Sequence, residues 1–356
     1  MNIAEINKIE LEITSNCNAA CPGCARTIHS DKLTINSITL ADVVRLFPSK
    51  SYIEHKKFKF CGVLGDPAFN SECVEMVRYL TGHGGYCELS TNGGIQTTEW
   101  WQELGKISGE FPGLVHIHFC VDGHEETNHI YRVNTKFSII ERNMSAYAQY
   151  AAPESASWIF IVFDHNEHEI VKAEEHAHRL GFKFATRTGM RNSYHTWVAN
   201  IKKRKDGALV QEARHITTTG EKEHSKKQQV IELDKFIADC KNNRVDEFKV
   251  KEVVDSIVCK FVHEGEIFIA SDLTLWPCCF LWDSYFKNQE SIKEKLSFED
   301  NWNSLLHYSI EEIIQHPWFA LLLEQSWAPK NPKHLSRCIR TCAKNKAYHN
   351  EFNYKT

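Results

Sequence analysis

The run Ser15-Asn16-Cys17-Asn18-Ala19-Ala20-Cys21-Pro22-Gly23-Cys24 sets three thiols at a C-x3-C-x2-C spacing. Thiols this close along the chain fit one tight loop, where their thiolates can hold three irons of a cubane iron–sulfur cluster. The fourth iron would then carry no protein ligand and stay open to a small molecule, as catalytic metal sites do. A structural site usually closes its coordination sphere. The same residues allow two plainer readings: a zinc loop completed by a ligand such as His29, or three unrelated cysteines.

A loop of this kind needs a strand to deliver it. Ile9-Glu10-Leu11-Glu12-Ile13 alternates apolar and polar residues and leads straight into the thiols. Further strands are expected at Phe58–Val63, Tyr86–Ser90, Val115–Val121, Trp158–Phe163 and Phe182–Thr186. Between them, Thr39–Phe47, Ser71–Leu80, Thr98–Ile107 and Phe137–Tyr150 read as helices. A last helix puts Ile170, Ala173, Ala177 and Leu180 on one face and stops at Gly181. This alternation predicts an α/β fold, a partial (β/α)6 barrel of parallel strands with helices outside. Chemistry in such sheets collects at the carboxyl ends of the strands, which is where the cysteine loop begins.

Composition narrows the class. The 356 residues, 42% hydrophobic and 25% charged, describe an ordinary globular protein. With 42 basic against 46 acidic side chains there is no general field for a polyanion, so nucleic acid is not expected as a partner. No apolar run reaches the roughly 20 residues that span a bilayer, and Met1-Asn2-Ile3-Ala4-Glu5 does not open a signal peptide. Thirteen cysteines without such a signal predict a cytoplasmic, reducing location, where cysteine clusters mean metal or catalysis. Beyond residue 188 the alternation stops. Lys202-Lys203-Arg204-Lys205 and the polar stretch to Lys227 read as a solvated linker or insertion, flanked by short helices at Ile231–Cys240 and Glu252–Val258. His168, His176 and His178 sit in or beside an amphipathic helix among polar neighbours and read as surface residues.

Other strand ends carry matching segments. They are Leu64-Gly65-Asp66-Pro67, Ser90-Thr91-Asn92-Gly93, and Cys120-Val121-Asp122-Gly123 followed by Tyr131-Arg132, Phe137 and Asn143. Together with the cysteine loop they resemble, in order, the motifs of the radical S-adenosylmethionine (SAM) superfamily, and within it the enzymes with a SPASM or twitch extension. The resemblance departs at Gly23, where relatives carry an aromatic residue, and at Leu64, Asp66 and Cys120, where they have glycine, glutamate and serine.

A second cysteine set lies near the C-terminus. Cys259 precedes a candidate hairpin, Glu266–Ala270 with Thr274–Trp276, that ends in Pro277-Cys278-Cys279; Cys338 and Cys342 are one helical turn apart. Four such thiolates can enclose a cluster, and zinc would satisfy them as well. Cys259 and Cys278 follow the SPASM register, with Leu273 at the usual glycine, and Cys279 is the alternative to Cys278. Four ligands support one auxiliary cluster, the twitch arrangement.

The resemblance covers about residues 8–190 and 255–345, giving a radical SAM core over 1–190, a linker over 191–250 and an auxiliary-cluster domain over 251–356. It implies a SAM-binding 4Fe-4S cluster on Cys17, Cys21 and Cys24, and an auxiliary 4Fe-4S cluster on Cys259, Cys278, Cys338 and Cys342. It further implies reductive cleavage of SAM to a 5′-deoxyadenosyl radical that takes a hydrogen atom from the substrate. Gly65, Asp66, Asn92, Cys120, Asp122 and Arg132 would line the SAM pocket, with Arg187 and Arg191 within reach of carboxylates. Cys120 is read either as a hydrogen-atom donor or as an inert stand-in for serine. A reducing partner such as a flavodoxin or ferredoxin is implied. The first strand opens at Ile9, with no room before it for a leader-peptide-binding domain, so a peptide substrate would be held by partner proteins or by the 200–230 segment. Peptide or protein modification ranks ahead of small-molecule dehydrogenation or epimerisation, and the rival outside enzymology is a non-catalytic cluster-bearing redox or scaffold protein.

Overall fold

Strand β4, Val115–Cys120, buries Val115, Ile117 and Phe119 on one face and turns His116, His118 and Cys120 to the other. That alternation organises the first of two units in the computed structural model, which describes residues 2–187, 196–203, 209–216, 235–288 and 301–343. One unit is Leu11–Thr218; the other joins Met1–Glu10 to Thr219–Thr356.

The expected alternation of strands and helices is present. Strand β1 (Lys8–Leu11) runs into the cysteine loop, and β2 (Lys57–Phe60), β3 (Tyr86–Thr91), β4, β5 (Ala156–Ile161) and β6 (Lys183–Arg187) follow. Strands β2 to β6 pair in parallel in that order, with Glu88 opposite His116, His118 opposite Ser157 and Ile161 opposite Arg187. Helices α1 (Leu40–Leu46), α2 (Cys73–Gly82), α3 (Thr98–Glu110), α4 (Phe137–Ala148) and α5 (Ile170–Arg179) lie between them. Thr39 and Asp42 close a capping box that starts α1, and the Thr97 hydroxyl accepts from Trp100 N to start α3. The fold is thus α/β, with parallel strands and helices as the alternation predicts.

Between sheet and helices lies an aromatic core. Trp101, Phe119, Tyr147 and Trp158 are fully buried, each side chain contributing about 1.5–3 kcal/mol or more. Both indole N–H groups are satisfied: Trp101 Nε1 donates to Ile95 O and Trp158 Nε1 to Val121 O. The opposite face of the sheet is polar. Lys57 Nζ donates to Glu88 at 2.6 Å, His118 Nε2 lies 3.4 Å from the same carboxylate, and His116 Nε2 meets Ser157 Oγ at 2.8 Å.

In the second unit β9 (Glu266–Ile269) and β10 (Leu275–Trp276) form the expected antiparallel hairpin, in the order β10-β9-β1. Leu273 has φ +61°, the left-handed conformation that glycine adopts without strain. Gly265 is also left-handed, and a Cβ there would stand 2.3 Å from Glu5 O. Around the hairpin lie α6 (Lys260–Glu264), α7 (Cys279–Lys287) and α8 (Ser336–Cys342).

Two expectations change. Thr196–Lys203 and Leu209–Ile216 form an antiparallel pair, β7 and β8, so Lys202 and Lys203 belong to a strand. The charge run drew the sequence reading away from Trp197-Val198 and Leu209-Val210, whose residue types favour strands. Arg191, Arg204 and Lys205 lie outside the described residues. The helix expected over Glu252–Val258 starts earlier, at Glu247, where Asp246 caps it, and ends at Asp255. Among the described residues no helix is long and apolar enough to cross a membrane.

Candidate functional site

The loop after β1 gathers its three thiols. Cys17, Cys21 and Cys24 pack on one apolar wall with Ala19, Tyr131, Ile161 and Phe163. Cys24 N donates to Cys21 O at 3.0 Å, which folds the loop back on itself, and Cys24 opens the short helix Ala25–Ile28. A Cβ on Gly23 would lie 3.2 Å from Tyr131 Oη. The space beside residue 23 is therefore taken by the Tyr131 ring, which packs on Phe163 with centroids 4.6 Å apart.

Strand ends bring polar groups to this loop. Asn92, just past β3, points Nδ2 at Cys17 Sγ across 3.6 Å, and also donates to Asn18 and Asp66. Arg132 donates from Nε to Asp122 Oδ2 at 2.7 Å and reaches Cys21 Sγ at 3.8 Å through Nη1. The other Asp122 oxygen accepts from Ile161 N, joining the ends of β4 and β5. After β2, Gly65 lies so close to Thr14 that a Cβ would be 1.8 Å from its carbonyl oxygen, and Asp66 N donates to Asn16 O. The Asp66 carboxylate accepts from Ala68 N, Thr91 Oγ1 and both Asn92 nitrogens, so its work is to lock the β2 and β3 ends together. Burial pushes its pKa up despite these donors.

These surroundings suit a metal-bound form of the thiols. Burial first, then the charges of Asp66, Cys21 and Cys24, push the Cys17 thiol far up. Thiolates crowded this way are favoured only when a cation takes their charge. Cys120 ends β4, half-buried, with Sγ 3.8 Å from its own strand's His118 O. Arg187 ends β6, half-buried, its carbonyl accepting from Val162 N.

The second cysteine set also converges. Cys259, Cys278, Cys338 and Cys342 line one cavity with Lys260, Pro277, Phe280, Leu281, Leu323, Trp327, Arg337 and Thr341. The cavity between them is small, about 20 Å³. Cys279 is not among the lining residues. Val258 N donates to Cys342 O at 3.0 Å, which clips the start of this segment to its end. Burial and the neighbouring thiols raise the Cys278 pKa to about 12 and that of Cys342 to about 11. Two buried donors on the cavity residues, Trp327 Nε1 and Arg337 Nε, have no hydrogen-bond partner among the protein atoms. Four thiols with two N–H groups unpaired among the protein atoms are a donor set chemically compatible with a sulfide-bearing cluster. Among the described residues no three His, Cys, Asp or Glu groups gather closely enough for a single metal ion. Thiolates around an iron–sulfur cube stand wider, because the cube's own atoms lie between them.

Several residues escaped the sequence reading. Glu12, buried, accepts from Leu64 N at 2.7 Å and fixes the loop after β2. Tyr131 entered only as a motif letter, yet its ring forms the wall of the cysteine loop. His176 is half-buried, its ring stacked on His124 at 5.8 Å and edge-on to Trp158, whereas His168 and His178 are exposed as expected.

No family model matches the chain. Over 89 residues it is 30% identical to an AdoMet-dependent heme synthase of Oleidesulfovibrio alaskensis, a match covering 25% of this chain and 22%, about a fifth, of the relative. The crystal structure of Streptococcus suis SuiB bound to precursor peptide SuiA superposes with a TM-score of 0.53 at 9% identity, over 89% of this chain and 66% of that one. BtrN in complex with AdoMet and 2-DOIA gives 0.47 at 9% identity over 98% of both chains. The chain thus shares its fold with SuiB, and over a quarter of its length it is similar in sequence to the AdoMet-dependent heme synthase.

Proposed function

We propose that the chain cleaves SAM reductively and uses the resulting radical on a peptide or protein substrate. The observation that carries this is the meeting of three thiols on one wall at the strand ends, with Asn92 and Arg132 aimed at two of the sulfurs. Cys17, Cys21 and Cys24 would hold a 4Fe-4S cluster, which when bound would supply the electron for reductive cleavage of SAM. The chain's own residues hold and shield. Asn92 and Arg132 donate toward sulfur, Tyr131 and Phe163 keep water off the loop, and the backbone from Leu64 to Asp66, fixed by Glu12 and Asn16, offers the close approach an amino acid ligand needs.

Cys259, Cys278, Cys338 and Cys342 would hold the auxiliary cluster, with Cys278 favoured over Cys279 because it lines the cavity. Four thiolates leave no iron open, so this cluster would accept an electron and would not bind substrate. A small polar substrate is the second reading, favoured by Lys57, Glu88, His116, His118 and Ser157 on the sheet face that also carries Cys120. SuiB, solved with a precursor peptide, keeps the peptide reading first.

The test is anaerobic reconstitution followed by dithionite and SAM, with 5′-deoxyadenosine measured by mass spectrometry. Product from the wild type and none from the Cys17/Cys21/Cys24→Ala protein is the expected result. Equal product from both would end the proposal.

A further inference from the structure

The wall of the four-thiol cavity carries two cations held in place from behind. Lys260 Nζ donates to Glu266 Oε1 at 2.7 Å, and Glu266 Oε2 accepts from Lys8 at 2.5 Å. The Glu266 side chain is 0% exposed, whereas those of Lys260 and Lys8 are 25% and 27% exposed. Glu10, also buried, is a second carboxylate acting on Lys260. The second cation is Arg337, whose guanidinium lies 3.6 Å from Asp283; Asp283 also accepts from Lys287 at 2.7 Å. Lys260 and Arg337 both stand over the ring of Phe280, at 5.3 and 5.6 Å from its centroid. All three of these residues line the cavity.

A buried ion-pair network of this sort adds little net stability, because desolvating the charges offsets most of their attraction. Its arrangement points to a different use. We propose that Lys260, positioned by Glu266, sets the reduction potential of the group bound by Cys259, Cys278, Cys338 and Cys342, drawing it upward so that the group accepts an electron. This rests on the auxiliary-cluster reading above. The physical reason is simple: four thiolates already make the bound group electron-rich, and a fixed positive charge in a poorly screened cavity favours one more electron. Lys260 acts here as a positioned charge and touches no substrate. The event concerned is the transfer of one electron into the bound group from the sulfur dioxide radical anion that dithionite releases on breaking its S–S bond, the radical anion leaving as sulfur dioxide.

The experiment is a dithionite redox titration followed by electron paramagnetic resonance, on full-length protein with iron and sulfide counted beforehand. Lys260→Met should move the half-reduction point of one signal about tenfold toward the oxidised form, about 59 mV for one electron. Lys260→Arg, which keeps the charge, should restore it to within about threefold of wild type. A structural role for Lys260 would instead lower iron content, or make Lys260→Met and Lys260→Arg shift the signal alike. Lys260→Met with full iron and an unmoved signal overturns the inference and leaves the cluster reading intact. Absence of iron on the four cysteines of the Cys17/Cys21/Cys24→Ala protein overturns the cluster reading itself.

Discussion

Arg132 is paired to Asp122 through a 2.7 Å bond, and Asp122 has no exposed surface at all. The carboxylate joins β4 to β5 through Ile161 N, while the guanidinium continues to the Cys21 sulfur. Arg132→Met would leave a buried carboxylate without its counter-charge, a loss of about 3–5 kcal/mol. Urea denaturation followed by circular dichroism should show it, and Arg132→Lys should recover part. A stability unchanged by Arg132→Met would mean that Asp122 finds another donor.

Gly65 makes a sharper test of the loop after β2. A methyl group there would collide with the Thr14 carbonyl, and relief would break the Asp66 N to Asn16 O bond that ties this loop to the cysteine loop. Gly65→Ala is expected to cost about 2–3 kcal/mol by denaturant titration. SAM binding, followed by equilibrium dialysis, should weaken by more than it does in Gly82→Ala, a substitution at a glycine with open space around it.

Iron analysis separates the two cysteine sets. Reconstituted wild type should carry about eight irons per chain and the Cys17/Cys21/Cys24→Ala protein about four. Within the second set, Cys278→Ser should lose the remaining iron and Cys279→Ser should keep it. About four irons and one zinc in the wild type would assign the second set to zinc.

The polar sheet face predicts an acid response. Burial, and then the charge of His118, bring the His116 pKa down to about 4 from an ordinary 6.5. Between those values the unfolded chain takes up the proton and the folded chain does not, so stability falls as pH drops through that window. The loss attributable to His116 should be on the order of 2 kcal/mol after screening. Denaturation midpoints from pH 7 to 4 should fall less steeply for His116→Gln. Glu88 acts in the same sense over a lower pH window. Burial opposes its ionisation, yet His118 and Lys57 hold its carboxyl well below the usual range, so its contribution survives to lower pH.

Features that are local in the chain were legible in the sequence. Cys17, Cys21 and Cys24 declare themselves by spacing, and the alternation in Val115–Cys120 fixes which side chains face the site. What could not be read depends on residues far apart in sequence. Glu12 and Leu64 meet across 52 positions, and Lys8 and Glu266 across 258. Neither pair has a local signature, since a glutamate in an alternating strand reads as solvent-facing until the fold closes over it. Cys278 and Cys279 show the same limit on a smaller scale, because adjacent thiols can be separated only by knowing which side of a helix start faces the cavity.

The clip between Val258 and Cys342 has a consequence for how the chain is made. Synthesis proceeds from the N-terminus, and the residues described above as packing on the first cysteine loop have all been added by Arg187. The second cavity has to wait for Cys342, whose carbonyl closes it. At about 5–20 residues per second the interval between these points is on the order of ten to thirty seconds. During that time a nascent chain can offer a finished cysteine loop while Cys259 and Cys278 still lack their companions. Maturation machinery acting on the ribosome-bound chain would therefore meet the two sites in a fixed order.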